Sequence, residues 1–501
     1  MNGVRLSAGV LLRVVSSIAW YPAFFALAWT VEFAADRDAD PVSAIRSLAV
    51  VAGIGIGLAV VMRLVVRSTP IAGALACLAM LALLDASTPL TAAVFVVAVI
   101  LVLVEHRVER RGQVRLPWSR IHEALTVFAA VMLAMTVGNY GLALANRPTP
   151  TFDPAWSTPA PGAGQLRNLY VVIVDGHGRQ DVLLDELGYD DSSFIAQLEA
   201  LGFDVSDASH ANYLFTRFSL PSFLSGAHLS DLGIDMTRTP DNRLLSAATR
   251  DAPAIGALRR LGYEVVGIPS GFDHLGERSA AIDMDTGQMS ELEYRLAQTS
   301  AVGSWMATVI DEAWLAAGPS RTFASLQRLE ALATGPHTTP RATFVHLPLP
   351  HPPYGVDAAC APIPLSRTFV DYLTGDLPAG LDAVQLATGP VACVDRILIP
   401  ALETIVSADP DAILILMSDH GPGKPVDWAA PAQPGIVARA ANLFAARTPG
   451  HPRLFPDDIS LVNVLPRLFN SYFGMSLALR PDDVYSARSE ADGTLHRVEW
   501  P

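Results

Sequence analysis

Residues 411–421 read DAILILMSDHG, an unbroken apolar run that ends in Ser418, Asp419 and His420. A run of this kind is typical of a strand that is buried on both faces of a parallel sheet. Similar runs occur in NLYVVIVD (168–175), YEVVGIPS (263–270) and ATFVHLPLPHPPY (342–354), and a helix-like stretch, APAIGALRRLG, leads into the second of them. This alternation of strands and helices predicts an α/β domain with a largely parallel central sheet.

Chemically active side chains stand where these predicted strands end. Asp175 ends the first strand, Asp419 and His420 end the last, and His351 follows the third between two prolines. Ligands of open α/β sheets bind beyond the carboxyl ends of the strands. Carboxylate oxygens together with imidazole nitrogens are good ligands for Zn²⁺ or Mn²⁺. Asp175 could equally cap the helix that follows it, and we expect His346, inside a strand, to be a core histidine.

The stretch TRFSLPSFLSG, residues 216–226, reads as the start of an amphipathic helix. It offers four hydroxyl side chains, those of Thr216, Ser219, Ser222 and Ser225. A hydroxyl at a helix N-terminus lies near free backbone N–H groups, which favour an oxyanion and a bound phosphate or sulfate. A divalent metal would lower the pKa of that hydroxyl further. The stretch therefore predicts a nucleophile if the strand-end residues hold a metal beside it.

The N-terminal part of the chain has the composition of a membrane domain. The 501 residues are 51% hydrophobic and 17% charged, and the mean hydropathy is +0.33, which indicates a membrane part. Five segments approach the ~20 apolar residues that a transmembrane helix needs: residues 8–33, 48–66, 70–84, 90–105 and 124–145. Arginines are concentrated between the fourth and fifth segments, whereas EFAADRDADP after the first is acidic. The positive-inside rule then predicts a cytoplasmic N-terminus and an outside location for everything after the fifth segment.

These patterns divide the chain into four parts. We predict a five-span transmembrane domain (1–145), a Pro-rich linker (146–165), an extracytoplasmic domain (166–487) and a polar tail (488–501). Cys360 and Cys393 lie in the outside part, where a disulfide could persist, and two buried thiols are the alternative. The formal net charge of −14 argues against a nucleic-acid partner, because nucleic acid favours basic surfaces.

Four features follow one another along the chain: the strand that ends in Asp175, the hydroxyl stretch that closes in Gly226, PHPPY at 350–354, and SDHG at 418–421. In this order they resemble the sulfatase-like branch of the alkaline phosphatase superfamily. With apolar spans ahead of an outside domain, the chain looks like the lipoteichoic acid synthases and the phosphoethanolamine transferases. The resemblance covers residues 166–487 and implies an α/β/α sandwich around a mixed sheet. It also implies that a metal-bound threonine, serine or formylglycine attacks a phosphate or sulfate ester.

The resemblance implies a metal site of four ligands. Asp175 matches the first metal carboxylate, Asp419 and His420 match the paired late ligands, and Thr216 matches the nucleophile, which is also a ligand. Sulfatases carry two adjacent acids where this chain has Asp175 and Gly176, which suggests one divalent metal rather than a calcium sulfatase site. We expect Mn²⁺ or Zn²⁺, with Mg²⁺ or Ca²⁺ as alternatives.

Two alignments compete for the nucleophile. The letters SLPS imitate the start of the sulfatase pattern and favour Ser219, although Phe223 stands where that pattern has an arginine. The family nucleophile lies ten residues before the closing glycine, and this spacing favours Thr216, since Gly226 closes the stretch. A threonine cannot become formylglycine, so this assignment leads away from sulfate hydrolysis. We assign the nucleophile to Thr216, and Ser219 then caps or lines the helix at the substrate site.

The resulting hypothesis is a transferase that takes a phospho-alcohol head group from a membrane phospholipid through Thr216. The group then passes to a glycan or lipid of the cell envelope, and His351 contacts the substrate. His351 and His451 are the candidates for a second metal. A membrane-anchored phosphate- or sulfate-ester hydrolase is the alternative, since it would share the nucleophile and the metal. A non-catalytic protein that binds the envelope is a third reading, against which the intact set of site residues argues.

Overall fold

The computed structural model describes residues 19–37, 39, 41–66, 68–84, 118–158, 166–272, 282–283, 287–352, 355–363, 383–422, 433–487 and 494–500. The chain forms two compact units. The helical unit comprises Met1–Asn146 together with Ser290–Ile310, and the sheet unit comprises Arg147–Met289 together with Asp311–Pro501. The sequence predicts that Ser290–Ile310 belongs to the compact domain 166–487, whereas in the structure this segment packs with the helical unit.

The regular elements alternate along the sheet unit as the sequence predicts. The described helices are α1 Tyr21–Asp36, α2 Pro41–Val65, α3 Thr69–Leu84, α4 Trp118–Ala145, α5 Gln180–Leu187, α6 Ser192–Ala200, α7 Thr216–Ser225, α8 Asn242–Arg250, α9 Pro253–Arg260, α10 Glu291–Thr299, α11 Ala301–Trp305, α12 Ala307–Thr334, α13 Ala383–Ala408, α14 Gln433–Ala440 and α15 Val464–Phe473. The described strands are β1 Leu169–Val174, β2 Asp204–Val205, β3 Glu264–Ile268, β4 Ile282–Asp283, β5 Arg341–Leu347, β6 Ile413–Met417, β7 Phe444–Arg447, β8 Val484–Ala487 and β9 Leu495–Val498.

The helical unit carries apolar helices with apolar side chains on their outer surfaces. Among the described residues, two helices are long and apolar enough to cross a membrane, Ala44–Val65 and Ser119–Ala145, and the apolar helix α3 is shorter. These three correspond to the predicted spans 48–66, 124–145 and 70–84. The predicted span 90–105 and the first part of span 8–33 lie outside the described residues. The count of five spans and its orientation therefore stay predictions.

The sheet unit is built on a seven-stranded mixed sheet in the order β2-β7-β6-β1-β5-β3-β4. β1 lies between β5 and β6 and is parallel to both. β3 continues the parallel arrangement beside β5, whereas β7 runs antiparallel to β6. The four strands predicted from apolar runs are thus confirmed, as is the largely parallel sheet. Because β1, β5 and β6 are neighbours and parallel, their carboxyl ends meet at one edge.

Helices cover both faces of this sheet. Alternate residues of β1 enter different cores, with Leu169, Val171 and Ile173 on one face and Tyr170, Val172 and Val174 on the other, because successive strand side chains point to opposite faces. The first core includes side chains from α7, α9 and α15, and the second includes side chains from α6, α12 and α13. Each fully buried aliphatic side chain contributes about 1.5–3 kcal/mol of transfer free energy. Burial on both faces therefore explains the continuous apolar runs of the sequence.

The C-terminal end of the chain contradicts the predicted polar tail at 488–501. β9 pairs antiparallel with β8 and forms a two-stranded sheet. Leu495 is buried in a cluster with Val484 and with Phe218 of α7. Of the four residues LHRV, Leu495 alone is buried, and the polar residues around it make this strand look like a tail by composition.

The predicted disulfide is present in the structure. Cys360 and Cys393 are joined, with 5.0 Å between their Cα atoms. Cys393 lies in α13 and is fully buried, whereas Cys360 lies in the loop of residues 355–363. Among the described residues, Cys77 is the free cysteine.

Candidate metal centre

Three neighbouring strands deliver the charged side chains of the site. Asp175 directly follows β1, and its backbone N–H donates to the carbonyl of Leu347 at 3.0 Å. His346 lies in β5 opposite Ile173 of β1. Asp419 and His420 follow β6 after Ser418. The parallel register therefore brings residues that are far apart in sequence to one edge of the sheet.

Two glycines occupy backbone positions beside these side chains that other residues would not tolerate. Gly176 has a φ of +72°, which L side chains rarely adopt, and an added Cβ would lie 3.5 Å from His420 Cε1. Gly421 leaves no space for a Cβ, because that atom would stand 2.1 Å from the carbonyl oxygen of Ala438. The glycine of SDHG is therefore required by the close approach of α14.

The hydroxyl stretch forms α7, which begins at Thr216 and ends at Gly226, a left-handed C-cap with φ of 57°. Thr216 Oγ1 lies 3.2 Å from His420 Nε2. One turn later, Ser219 Oγ donates to the main-chain carbonyl of Asp419 at 2.7 Å, and Ser222 Oγ donates to Ala227 O. Of these three hydroxyls, that of Thr216 faces the charged cluster, and that of Ser219 holds the backbone beside it.

His420 presents a nitrogen lone pair to this cluster. Its Nδ1 lies 3.0 Å from the carbonyl oxygen of Gly421, which places the proton of a neutral ring on Nδ1. Burial, together with the positive charge of Arg439, lowers the pKa of His420 to about 4, so the ring is neutral near pH 7. Its Nε2 lies 3.3 Å from Asp419 Oδ2 and 3.8 Å from Asp175 Oδ1.

Two buried carboxylate oxygens fit a divalent cation. Asp175 is 2% exposed and Asp419 is fully buried. Within the described part of the chain, Asp175 Oδ1 and Asp419 Oδ2 have no hydrogen-bond partner. Burial alone would raise the pKa of Asp175, but His351, His346 and His420 more than offset it and hold that pKa below its usual range. Two buried carboxyl groups with unpartnered oxygens are costly without a cation, and oxygen with imidazole nitrogen is a donor set that Zn²⁺ and Mn²⁺ accept.

Two overlapping sets of three residues could each hold a metal ion, because the ligand atoms within each set lie within 4.8 Å of one another. One group contains Asp175, His351 and His420, and the other contains Asp175, His346 and Asp419. His346 Nε2 lies 3.4 Å from Asp175 Oδ2. His346 is buried, as expected of a core histidine, and the register of β5 also turns its ring toward Asp175.

His351 lies in the loop after β5 and faces the cluster from its more exposed side. Its backbone N–H donates to Pro348 O at 3.0 Å, which forms a turn. Its ring centroid lies 6.2 Å from that of His420. His351 is half-buried, whereas Asp175 and His420 are buried. It is thus the cluster member most accessible to a substrate.

Arg439 belongs to the site and was not predicted. This buried arginine of α14 donates to Leu214 O at 2.9 Å and to Gly421 O at 3.1 Å, and its Nη2 lies 3.2 Å from His420 Nε2. One guanidinium therefore fixes the residues before Thr216 and the SDHG loop together. The local sequence around Arg439 does not indicate this role, because the role depends on how α14 packs against the SDHG loop and Leu214.

His177 fixes the turn that follows Asp175. The ring of His177 is fully buried, with Nδ1 at 2.8 Å from Gly178 O and Nε2 at 2.8 Å from Asp395 Oδ1. Burial would lower the pKa of His177, but the charge and hydrogen bond of Asp395 outweigh it and raise that pKa. Tyr189 donates to the other oxygen of Asp395 at 2.9 Å. The result is a buried histidine–carboxylate pair that anchors the GHG turn to α13.

The structure does not bring His451 to this edge of the sheet. His451 lines a cavity of about 230 Å³ with Arg167 and Ile413, at the ends where β1 and β6 begin. Its ring packs against Tyr472 at 4.5 Å between centroids. His451 is therefore not a ligand for a second metal beside Asp175.

Comparisons by sequence found no match: no protein-family profile matches the chain, and no curated protein does. Comparison with solved structures found the C-terminal periplasmic domain of EptC from Escherichia coli, crystallised with Zn, at a TM-score of 0.41 and 12% identity, over 69% of this chain and 90% of that one. The structure is similar to phosphoethanolamine transferase domains and to sulfatases. The corresponding domain of the phosphoethanolamine transferase EptC from Campylobacter jejuni matches at 0.38 and 13%, over 64% and 94%. A 2-O GAG sulfatase matches at 0.39 and 13%, over 63% and 72%.

Proposed function

We propose that the chain is a metal-dependent enzyme that transfers a phospho-alcohol head group from a membrane phospholipid to a glycan or lipid of the cell envelope. The observation that carries this proposal is the position of Thr216. Its hydroxyl stands at the N-terminus of the buried helix α7, 3.2 Å from His420 Nε2. The same nitrogen lies 3.8 Å from Asp175 Oδ1 and 3.3 Å from Asp419 Oδ2, two carboxylate oxygens that lack hydrogen-bond partners within the described residues.

Four residues would hold the metal: Asp175, Thr216, Asp419 and His420, with His346 directly behind Asp175. A divalent cation there, Zn²⁺ or Mn²⁺ by donor type, lowers the pKa of a hydroxyl and neutralises charge on the oxygens of the transferred group. His346 holds Asp175 in place, and Ser219 holds the backbone of Asp419. The chain thus supplies a rigid frame around one reactive hydroxyl.

The reaction exchanges two phosphate ester bonds. Thr216 Oγ1 loses its proton and forms a bond to phosphorus, and the bond from phosphorus to the diacylglycerol oxygen breaks, so that diacylglycerol leaves with a proton. The acceptor hydroxyl then attacks the phospho-alcohol on Thr216, transfers its proton, and releases the threonine hydroxyl. The N-terminus of α7 and the guanidinium of Arg439 place positive charge beside the phosphoryl oxygens. His351, which is half-buried, contacts the substrate.

The membrane location follows from the same proposal. A phospholipid donor lies in the bilayer, and the helical unit contains two helices that could cross it. The disulfide of the sheet unit agrees with an extracytoplasmic location, because disulfides persist in oxidising compartments. We infer a multi-pass protein of the cell membrane whose N-terminus is cytoplasmic and whose sheet unit is outside.

The test is to incubate the purified full chain with vesicles that contain labelled phosphatidylglycerol or phosphatidylethanolamine. Peptide mass spectrometry should find the phospho-alcohol on Thr216, and diacylglycerol should be released with a transferred product. Release of diacylglycerol and free phospho-alcohol without transfer to any acceptor would favour the hydrolase. The absence of any adduct and of any turnover with phosphate and sulfate esters would contradict both readings. An adduct on Ser219 would overturn the assignment of the nucleophile.

A further inference from the structure

The segment Ser290–Ile310 interrupts the sequence of the sheet unit, and it packs as part of the helical unit. It opens with a folded helix, since α10 begins in a capping box. Ser290 Oγ accepts from the backbone N–H of Glu293 at 3.3 Å, and the Glu293 side chain accepts from the backbone N–H of Ser290 at 2.9 Å. The chain therefore passes between the two units at three points rather than one.

α10 packs where α1 and α2 meet. Leu292 and Leu296, one helical turn apart, are buried in a cluster with Ala34, Ala39 and Ala44. A salt bridge between Arg46 and Glu293 adds to this attachment. Asp36 and Arg37, at the end of α1, are exposed. The segment thus lies against the polar connection of two apolar helices and not against their middles.

The end of the segment exposes large apolar side chains. Residues 300–310, SAVGSWMATVI, contain no charged residue. Trp305 is 91% exposed, Met306 45% and Val309 54%. Exposed apolar clusters of this kind mark contact sites for lipid or protein. Trp305 ends α11, Val309 lies in the first turn of α12, and Met306 stands between the two helices. The backbone N–H of Ile310 donates to Met306 O at 2.9 Å.

The rest of the helical unit identifies the occupant. Its helices α2 and α4 also expose large apolar side chains, including Leu64, Val65, Met135 and Leu142. A surface of this composition is covered by acyl chains when the helices cross a bilayer. Tryptophan is enriched at the bilayer–water interface, where its ring meets both the apolar and the polar layer. Trp305 therefore adds to the apolar surface of the helical unit, and it does so near the polar connection between α1 and α2, where the bilayer meets water.

We propose that residues 300–310 form an interfacial lipid contact, in which Trp305 and Met306 enter the boundary between head groups and acyl chains. The inference rests on the membrane location given under the proposed function. The positive-inside pattern predicts that both the connection between α1 and α2 and the residues after the fifth span lie outside, so this contact is made with the outer surface. The chain therefore returns to the membrane between the two sequence segments of the sheet unit, Arg147–Met289 and Asp311–Pro501.

The experiment uses the full chain reconstituted in phosphatidylglycerol–phosphatidylethanolamine vesicles, with a spin label on a single added cysteine in a Cys77→Ser background that keeps the disulfide. The labelled variants are Trp305→Cys, Val137→Cys in α4, and Gln298→Cys on the exposed side of α10. Collision with oxygen reports lipid, and collision with a water-soluble nickel chelate reports water. We expect oxygen to dominate at 305 and at 137, with 305 the shallower, and the chelate to dominate at 298.

Any other result of the spin-label experiment contradicts either the interfacial contact or the membrane location. A label at 305 that meets water while 137 meets lipid contradicts the interfacial contact and leaves the membrane location standing. A label at 137 that meets water contradicts the membrane location itself. A label at 305 that is shielded from both reagents shows a protein occupant, such as a second copy of the chain, and overturns the lipid contact.

A second readout connects the contact to turnover. In the same reconstituted vesicles, Trp305→Ser should require a several-fold higher mole fraction of donor phospholipid for half-maximal transfer, because this segment contacts the outer surface less often. Turnover of a water-soluble phosphodiester should stay at the wild-type rate. Leu184→Ser is the matched control, since Leu184 is a 51% exposed apolar residue of the sheet unit. Equal lipid dependence in the two variants would contradict the proposal.

Discussion

Thr216 Oγ1 lies 3.2 Å from His420 Nε2, although the two residues are 204 positions apart in the chain. The same Nε2 lies 3.8 Å from Asp175 Oδ1 and 3.3 Å from Asp419 Oδ2. This arrangement separates Thr216 from Ser219, whose hydroxyl is bonded to the backbone of Asp419. It is the basis of the first prediction.

Thr216→Val keeps the branched shape of the side chain and removes its hydroxyl. We expect the phospho-alcohol adduct to disappear and transfer to fall by roughly 10³-fold or more, since no nucleophile is left. Mass spectrometry and product analysis measure the two effects. Ser219→Ala is the control, because it removes one buried hydrogen bond and costs about 1 kcal/mol of stability while the adduct persists. A normal adduct in Thr216→Val protein would show that another residue attacks.

Asp419→Asn replaces the carboxyl group of a proposed metal ligand by an amide of nearly the same size. Elemental analysis of the purified full chain should find about one Zn²⁺ or Mn²⁺ per wild-type molecule and very little in the variant. A chelator should lower the Tm of the wild-type protein, because an ion that binds the folded state stabilises it. Asp411→Asn is the control, since Asp411 is an exposed carboxylate just before β6 that pairs with Arg167. Full metal content in Asp419→Asn protein would refute the ligand assignment.

Asp395→Asn removes the carboxylate that faces the His177 imidazole. Because the GHG turn follows Asp175, we expect metal affinity to fall by roughly 10–100-fold, as is typical when support of a ligand is lost. The free energy of unfolding should fall by about 3 kcal/mol, since a buried pair is broken. Competition with a chromogenic chelator and denaturant unfolding measure the two quantities. Tyr189→Phe removes a single hydrogen bond to Asp395 and should leave the metal affinity near that of the wild type.

Asp191 predicts a pH dependence of stability. The residue is 2% exposed, neither of its carboxylate oxygens has a hydrogen-bond partner within the described residues, and burial raises its pKa to about 6. A carboxyl whose pKa is higher in the folded than in the unfolded chain stabilises the fold when protonated, and this contribution is lost as the pH rises through about 6.

We therefore expect Asp191→Asn to differ little from the wild type near about pH 4 and to be more stable above about pH 7. The gain should be about 1 kcal/mol, because the charge of the neighbouring His177 relieves part of the burial penalty. Thermal unfolding of both proteins across this pH range measures it. A difference that does not change with pH would mean that Asp191 has an ordinary pKa.

The apolar runs at 168–175 and 411–421 predicted the strands and their polar ends correctly because burial on both faces of a sheet leaves a local signal in the sequence. The helix start at Thr216 was likewise visible in a short stretch. The sequence predicts that His346 is buried, but its approach to Asp175 depends on the register of β5 against β1, which a single strand does not encode. Arg439 was missed for a similar reason, since helix packing brings it to Gly421.

The errors at the domain level have the same origin. Leu292 and Leu296 attach α10 to the helical unit, but their spacing is that of any amphipathic helix. Leu495 is the single buried residue of its strand, so the surrounding polar residues suggested a tail. In each case the sequence shows that a residue will be buried, whereas the partner that buries it is set by contacts distant in the chain.

Arg439→Lys tests whether the guanidinium positions the site. One guanidinium donates to Leu214 O and Gly421 O at once and lies 3.2 Å from His420 Nε2, and a lysine ammonium lacks the planar fork that holds both carbonyls. We expect the metal content to be kept, kcat to fall by roughly tenfold or more, and the Tm to drop modestly. Arg447→Lys is the matched control, because Arg447 also donates to two main-chain carbonyls, Ala412 O and Pro410 O, at the far end of β6. If both variants lose the same stability and only Arg439→Lys loses turnover, the guanidinium acts on the reaction. Equal turnover in the two variants would reduce Arg439 to a packing residue.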